Sequence, residues 1–409
     1  MQFFNSAASS VKSYEIGTHR ACSPAETVIR LQPLLARFGI TRVANLTGLD
    51  RLGIPVVMVC RPNARSSAVF HGKGVDLASA KASGIMEAIE TWHAEQTDLI
   101  LRFGSQSDLP DHNLIDLDKL PQVSGHPPKA NSPMLWAQGQ DLLSRCSIWL
   151  PFELVHANSS VDGPSASGLF AGSTNGLASG NHISEAISHA LCEVIERDAT
   201  SLWRRSSVKA QDFRRLDLST VTNEMALGLV RRMQEHDLEA AVWDITTDVG
   251  VPAFQCLVTD RTESTSHFGS GAGCHPTPEV ALLRALTEAI QVRMTYIVGS
   301  REDIEPDDYT PATRRARAVR AGSLMRLRGP MRSYSATARY KFENFEQEVE
   351  WILDRLRKVG VRQVATVDLT RPEFGIPVVR VVVPGLEGSD HHAGYVPGAR
   401  ARAVMGSRQ

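Results

Sequence analysis

Acids spaced along helices are the residues in this sequence best suited to chemistry. From Ser173 to Thr200 the chain reads STNGLASGNHISEAISHALCEVIERDAT. Glu185, His189, Glu193 and Glu196 are spaced by four, four and three, so on a helix they share one face. Ile187, Leu191, Val194 and Ile195 fill the other faces. A helix that is apolar nearly all round is normally buried. Buried carboxylates must be neutralised, paired with a base or bound to a metal. The pattern recurs: Ser83-Gly-Ile-Met-Glu87-Ala-Ile-Glu90, then His189-Ala-Leu-Cys-Glu193-Val-Ile-Glu196, then Arg284-Ala-Leu-Thr-Glu288-Ala-Ile-Gln291. Such an interval is too long for a solenoid, so the expectation is three helices converging on one polar site.

Glu87, Glu90, Glu185, Glu193, Glu196 and Glu288, with Gln291, offer oxygen and no sulfur. That donor set suits hard cations, above all magnesium, and several carboxylates around magnesium usually serve a polyphosphate substrate. Lys73, Lys81, Arg197, Arg284 and Arg293 stand nearby in sequence, and the planar guanidinium fork suits phosphate. The glycine-rich stretches before the second and third helices could turn backbone N–H groups toward an anion. No GxxxxGK[ST] occurs, so this is not a P-loop site. One Glu pair three apart is commonly a solvated face; three matched stripes on apolar helices favour a site. Glu185 reads equally as a ligand or a first-turn acid, and His189 reads first as a satisfied core histidine. Cys274 reads as a buried thiol before a reactive one. Asn175 and Asn181 either shape a turn or touch a base or phosphate.

The elements that must position these residues are legible in outline. Ser23-Pro24 with Glu26 starts a helix over 25–38. Residues 42–47, 54–60 and 66–70 read as strands, and Asp76 caps an acidic helix over 77–95. Residues 104–134 read as irregular loop, and 147–151 and 153–156 as strands. Ser184 is the expected N-cap of the second acidic helix, which runs to about Arg205. A helix over 227–236 and strands over 240–244 and 252–258 follow. Gly269 to Glu279 reads as a glycine-rich loop, with Thr277-Pro278 starting the third acidic helix to about Val298. Residues 301–335 read as a mobile loop or charged surface helix, 345–359 as a helix, and 364–369 and 377–383 as strands. The first 20 residues look loosely ordered. The irregular alternation implies a mixed α/β fold.

The chain has 409 residues and a formal net charge of -1, with 42% apolar residues. Near-neutral charge argues against a general nucleic-acid binder, and the basic run around Arg314–Arg328 reads first as solvated surface, with a docking face for an acidic peptide as the alternative. None of the six cysteines pair as CxxC, and the His19–Cys22 spacing finds no second pair to complete a zinc site. Without a signal peptide or a spanning apolar run, a cytoplasmic location with no membrane association is expected.

The motifs carry a resemblance. Ser83-x-x-x-Glu87-x-x-Glu90, then Asn175-Gly-x-Ala-x-Gly-Asn181 with Glu185-Ala and Glu193-x-x-Glu196-Arg197-Asp198, then Arg284-Ala-x-x-Glu288-Ala-x-Gln291-x-Arg293 resemble the three signature motifs of the YcaO family. The likeness covers about Ser66 to Pro384. It implies a YcaO-like fold, with three related acidic helices packed on mixed β-sheets. The implied division is an integrated N-terminal segment (1–65), an ATP-binding catalytic domain (66–390) and a tail (391–409). It further implies ATP and Mg2+ as cofactors and activation of a peptide backbone amide by O-phosphorylation. Carried over by motif, Glu87, Glu90, Glu185, Glu193 and Glu196 would hold magnesium. Lys73, Ser83, Asn175, Asn181, Arg197, Arg284, Glu288, Gln291 and Arg293 would lie against the nucleotide. Azoline-forming members resemble one another in a proline-rich C-terminus, whereas this tail, Tyr395-Val-Pro397-Gly-Ala-Arg-Ala-Arg402, has no PxPxP. The Gly17-Thr-His-Arg20 opening and this ending look more like members paired with a TfuA-type partner, which form thioamides. The expected partners are a peptide or protein substrate and a TfuA-type protein, and a homodimer stays open. Azoline formation, amidine formation and a non-catalytic nucleotide-binding scaffold are the alternatives.

Overall fold

The structure is a computed structural model. It describes residues 10–109, 113–123, 131–164, 167–170, 172–261, 268–326, 329–388 and 394–407. Helix α1 (Pro24–Leu31) opens on a reciprocal cap between Ser23 and Glu26 and tightens into a 3-10 turn over Gln32–Phe38. Strands β1 (Arg42–Asn45), β2 (Val56–Cys60) and β3 (Val69–Lys73) form an antiparallel sheet in that order. Helix α2 (Leu77–Glu95) follows, its N-terminal Ser79 N–H donating to Asp76. Strands β4 (Leu101–Gly104), β5 (Met134–Asp141), β6 (Ser147–Pro151) and β7 (Leu177–Ser179) lead to helix α3 (Ile183–Arg205). Next come α4 (Val208–Phe213), β8 (Leu216–Asp217), α5 (Glu224–Glu235), β9 (Leu238–Asp244), β10 (Ala253–Asp260) and β11 (Gly269–Cys274). Helix α6 (Pro278–Val298) carries the third acidic stripe, and α7 (Pro311–Met325) the arginine run. The chain closes with β12 (Arg332–Ser333), α8 (Phe345–Lys358), β13 (Ala365–Asp368), β14 (Val378–Val382) and α9 (Ala399–Gly406).

One arrangement recurs in the three larger sheets. Strands β3, β7 and β11 are each the last strand at one edge of their sheet, and each is followed directly by an acidic helix. Helix α2 packs on β3, α3 on β7 and its neighbour β14, and α6 on β11. Each helix also touches an edge strand of another sheet: α2 meets β7, α3 meets β11, and α6 meets β3. The three helices and three edge strands thus close a ring, and the polar stripe of each helix has nowhere to face but the others.

Glycine makes that packing close enough. A Cβ on Gly271 would lie 2.3 Å from the Ala289 backbone nitrogen, and one on Gly273 would lie 2.0 Å from the Ala281 carbonyl oxygen. Successive odd positions of a strand share a face, so Gly269, Gly271 and Gly273 give α6 a surface without side chains. Residues 269–274 are therefore a strand and not the expected loop; the GxGxG spacing is a period-2 packing signal.

Other expectations also need correction. Helix α3 starts at Ile183, one residue before Ser184, and the Ser184 N–H donates to the His182 Nδ1 at 3.2 Å. The Ser184 hydroxyl donates to Glu346 at 2.8 Å, a tertiary bond that sequence spacing does not reveal. The expected strand over 153–156 is absent, Glu153 and Leu154 lying instead in a 3-10 turn over Phe152–Leu154, and β4 and β5 flank the expected loop (104–134), overlapping it only at Gly104 and Met134. Of the two readings of 301–335, the charged helix is the one found, as α7. Residues 10–20 are anchored: Lys12 is 6% exposed, and its Nζ lies 2.6 Å from Glu348. Arg328, residues 1–9 and residues 389–393 of the tail lie outside the described residues.

Candidate active site

The ring brings the acids of the three helices together. Glu87 and Glu90 come from α2, Glu193 and Glu196 from α3, and Glu288 from α6. Burial and neighbouring carboxylates push Glu87 up to about 6, even against Lys73 and Arg301. Burial drives Glu90 up to about 8, although both the Ser179 N–H (2.9 Å) and hydroxyl (2.6 Å) donate to its Oε1. Burial and Glu288 raise Glu196 to about 7, and burial raises Glu193. Glu288 behaves otherwise. Burial works against its charge, but Lys73, with Nζ 2.7 Å from Oε2, and Arg197 outweigh it, so its carboxyl stays below the ordinary range. The Ala272 N–H donates to the other Glu288 oxygen at 3.3 Å. Arg197 lies 3.4 Å from Glu193; burial opposes its charge, and Glu193, Glu196 and Glu288 together hold it protonated.

Glu185 lies at the border of this group. It accepts from the Ala21 N–H at 3.0 Å and from the Asn181 amide at 3.4 Å, with Arg20 3.6 Å away. The Asn181 Oδ1 accepts from Thr27 (3.1 Å) and Arg30 (2.7 Å). Arg20 is attracted to both Glu185 and Glu90, so the N-terminal segment supplies a cation to the ring. The motif spacing missed Arg20 and Thr27 as site neighbours because they lie more than 150 residues from α3; the Gly17-Thr-His-Arg20 opening was the only trace of Arg20. His189 is held neutral by burial and by Arg284 and Arg20, with a bond to Ser179 backbone, in keeping with a satisfied histidine.

The remaining sequence candidates are placed as follows. Ser83 is half-buried on α2, one turn before Glu87. Gln291 donates to the His71 carbonyl at 2.6 Å, tying α6 to β3. Arg284 donates to the Cys274 carbonyl at 3.2 Å. Arg293 faces Asp50, with Nε 3.9 Å from Oδ2, on the side of the β1–β2 turn. The Asn175 carbonyl accepts from Arg380 at 2.9 Å. Cys274 is fully buried and its thiol is pushed far up by burial, which bears out the buried-thiol reading. His19, His275 and Glu348 also cluster. The His275 Nδ1 accepts the Thr277 N–H, leaving Nε2 to carry the proton toward Glu348, and Lys12 already supplies the cation. That cluster is an anchor for the N-terminal segment.

Acids whose neutral forms are favoured by burial and mutual repulsion form a cluster short of positive charge. Lys73 and Arg197 answer only part of it. Oxygen donors of this kind match magnesium. A family profile described as YcaO cyclodehydratase, ATP- and Mg2+-binding, matches residues 71–387. The chain belongs to the YcaO family. It is 37% identical over 377 residues to a protein of the tfuA 3′ region of Rhizobium leguminosarum bv. trifolii, covering 90% of this chain and 88% of that one. It is 34% identical over 383 residues to a protein of Methanothermobacter thermautotrophicus, covering 90% and 95%. The YcaO structure of Methanopyrus kandleri bound with AMPPCP and Mg2+ superposes with a TM-score of 0.74 at 25% identity, over 95% of this chain and 98% of that one. A heterocyclase in complex with substrate and cofactor gives a TM-score of 0.81 at 23% identity; the match covers 98% of this chain but 56% of the heterocyclase, and it speaks for the fold alone. YcaO proteins are ATP-dependent, peptide-modifying, cyclodehydratase-like enzymes, and ATP and Mg2+ are this chain's cofactors. Among the described residues no helix is long and apolar enough to cross a membrane.

Proposed function

We propose that this YcaO enzyme uses ATP to activate a backbone amide of a ribosomally made peptide or protein and replaces the amide oxygen with external sulfur, forming a thioamide with a TfuA-type partner. The observation that carries the sulfur assignment is the 37% identity, over 90% of the chain, to the relative from the tfuA 3′ region. The reaction balances as amide plus hydrosulfide plus ATP giving thioamide, ADP and phosphate. The carbon–oxygen bond breaks, a carbon–sulfur bond forms, and the amide oxygen leaves on phosphate.

In this reading Glu87, Glu90, Glu193 and Glu196 hold magnesium, with Glu185 at the border. Magnesium supplies charge neutralisation along the phosphates. Lys73 and Arg197 are placed to meet phosphate oxygens, and Glu288 holds Lys73 in position. Ser179 fixes one oxygen of Glu90, which leaves the second turned to the ring. Arg20, Asn181 and Arg284 contribute hydrogen-bond donors at the nucleotide side. Phosphoryl transfer is mainly a matter of positioning and charge, and a closed ring of helices keeps these groups fixed before substrate arrives.

The competing reading is azoline formation, which the cyclodehydratase description of the family favours. Intact mass separates the two. The enzyme is incubated with Mg·ATP, sulfide and peptides encoded beside its gene, with and without the TfuA-type protein. A gain of about 16 Da is the expected result of oxygen-to-sulfur exchange. A loss of about 18 Da would replace the thioamide reading by cyclodehydration.

A further inference from the structure

Helix α3 has a second stripe beside its acids. Val194, Asp198 and Ser201 lie at intervals of four and three, on the flank next to Glu193 and Arg197. The C-terminal tail is pinned there. Arg400 grips the buried Asp198 with two bonds of 2.9 and 3.0 Å, and the Glu387 N–H donates to the same carboxylate. Glu387 in turn accepts from the Tyr395 hydroxyl and from the Gly398 and Ala401 N–H groups. Beneath the pinned tail is a cavity of about 300 Å³, walled by residues 116, 118–122, 359–363, 384–387, 396–400 and 402. A smaller one of about 50 Å³ shares Pro121, Gln122, Leu386 and Glu387 with it and reaches Asn175 and Val194.

The inner end carries an unmet demand. The Asn175 Oδ1 is buried and has no hydrogen-bond partner among the described residues. The backbone of its loop is held in place. Arg380 holds the Ser173 and Asn175 carbonyls at 2.6 and 2.9 Å. Gly176 has φ +76, and a Cβ there would lie 2.1 Å from the Val381 carbonyl oxygen. Arg380 also feels the charge of Glu193, which puts this loop beside the acidic ring. A fixed, buried acceptor is costly unless a donor arrives, and an extended peptide brings one N–H per residue.

We propose that the substrate peptide enters through this channel between the tail and residues 116–122, and that the Asn175 Oδ1 accepts a backbone N–H from the peptide beside the acidic ring. The assignment rests on the peptide-modifying reading above. It places Asn175 with the peptide and not with the nucleotide. The outer cavity is of the smallest size common for ligand pockets, roughly 300 Å³. Its apolar Pro121, Leu386 and Val396 stand beside the charged Lys119 and Arg362, a wall suited to side chains of mixed character.

The test uses the full chain and a pool of random-sequence 12-residue peptides carrying a photoreactive leucine. Crosslinked sites are mapped by mass spectrometry in the presence of Mg·AMPPCP. Crosslinks are expected at residues 116–122, 381–388 and 395–398. Gln122→Trp, which fills the junction, and Asn175→Ala should each reduce them about fivefold or more while the thermal shift from Mg·AMPPCP persists. Crosslinks elsewhere, or none, would overturn the channel. So would an Asn175→Ala protein that loses the nucleotide shift but keeps its crosslinks. Crosslinks in the channel with no ATP-dependent mass change in any peptide would instead keep the channel and count against the proposed chemistry.

Discussion

Replacing Glu90 with Gln should stabilise the metal-free protein while disabling it. The two Ser179 donors can still bond to the Gln oxygen, so the substitution removes a charge and little else. The sign follows from the raised pKa. Glu90 titrates near 8 when folded and near its ordinary 4.5 when unfolded. Between those values the unfolded chain is ionised and the folded one is protonated, so wild-type stability falls as pH rises through this window. At about pH 7 the loss would reach about 3 kcal/mol at 1.36 kcal/mol per unit, and partial exposure of the side chain screens this to about 1–2 kcal/mol. An unfolding entropy of about 2.1 cal/mol/K per residue over 409 residues converts that into a rise in Tm of about 1–2 °C. Scanning calorimetry in chelator should show this gain near pH 7 and almost none near pH 5. Saturating Mg·ATP, at about 100 times its Kd, should add about 2.7 kcal/mol to the wild type, or about 3 °C, and much less to Glu90→Gln. A variant less stable than wild type at pH 7 in chelator, or a difference that ignores pH, would make Glu90 a structural acceptor and refute the reasoning.

Other substitutions separate the site from its scaffold. Lys73→Met removes the nearest cation of Glu288; its carboxyl should titrate higher, moving the acidic limb of ATP turnover to higher pH and raising the KM for ATP by about tenfold. Gly271→Ala forces a Cβ to 2.3 Å from the Ala289 nitrogen and should cost about 1–3 kcal/mol in calorimetry. Gly322→Ala, in α7 with nothing within 4 Å, should gain about 0.5–1 kcal/mol. Arg61→Leu strands the buried Glu95 carboxylate, now 2.6 Å from its guanidinium, and should cost about 3–5 kcal/mol in denaturant unfolding; replacing both partners with apolar residues should recover much of it.

The site was more legible than the architecture around it. The recurring Glu-apolar-Ile-Glu/Gln pattern revealed three buried polar stripes, because an acid on an apolar helix is a local contradiction that only a partner can resolve. The limits of α2 at Leu77 and Glu95 followed from the Asp76 cap and the apolar spacing. The strand β11 was hidden because glycine has low strand propensity; its reason for being glycine is α6, packed too close for any side chain. The contribution of Arg20 and Thr27 was hidden because pairing across more than 150 residues leaves no periodic trace. The same holds for the Arg400–Asp198 grip, which ties α9 to α3 across about 200 residues.

The central claim is that ATP activates the amide oxygen itself. The measurement that tests it most directly uses a peptide that undergoes the mass change, synthesised with ¹⁸O in its reacting carbonyl, and analyses the phosphate released. Phosphate heavier by about 2 Da is the expected result, since the amide oxygen leaves bonded to phosphorus. Unlabelled phosphate, formed in step with peptide modification, would mean that ATP is spent elsewhere and would contradict amide O-phosphorylation at this site.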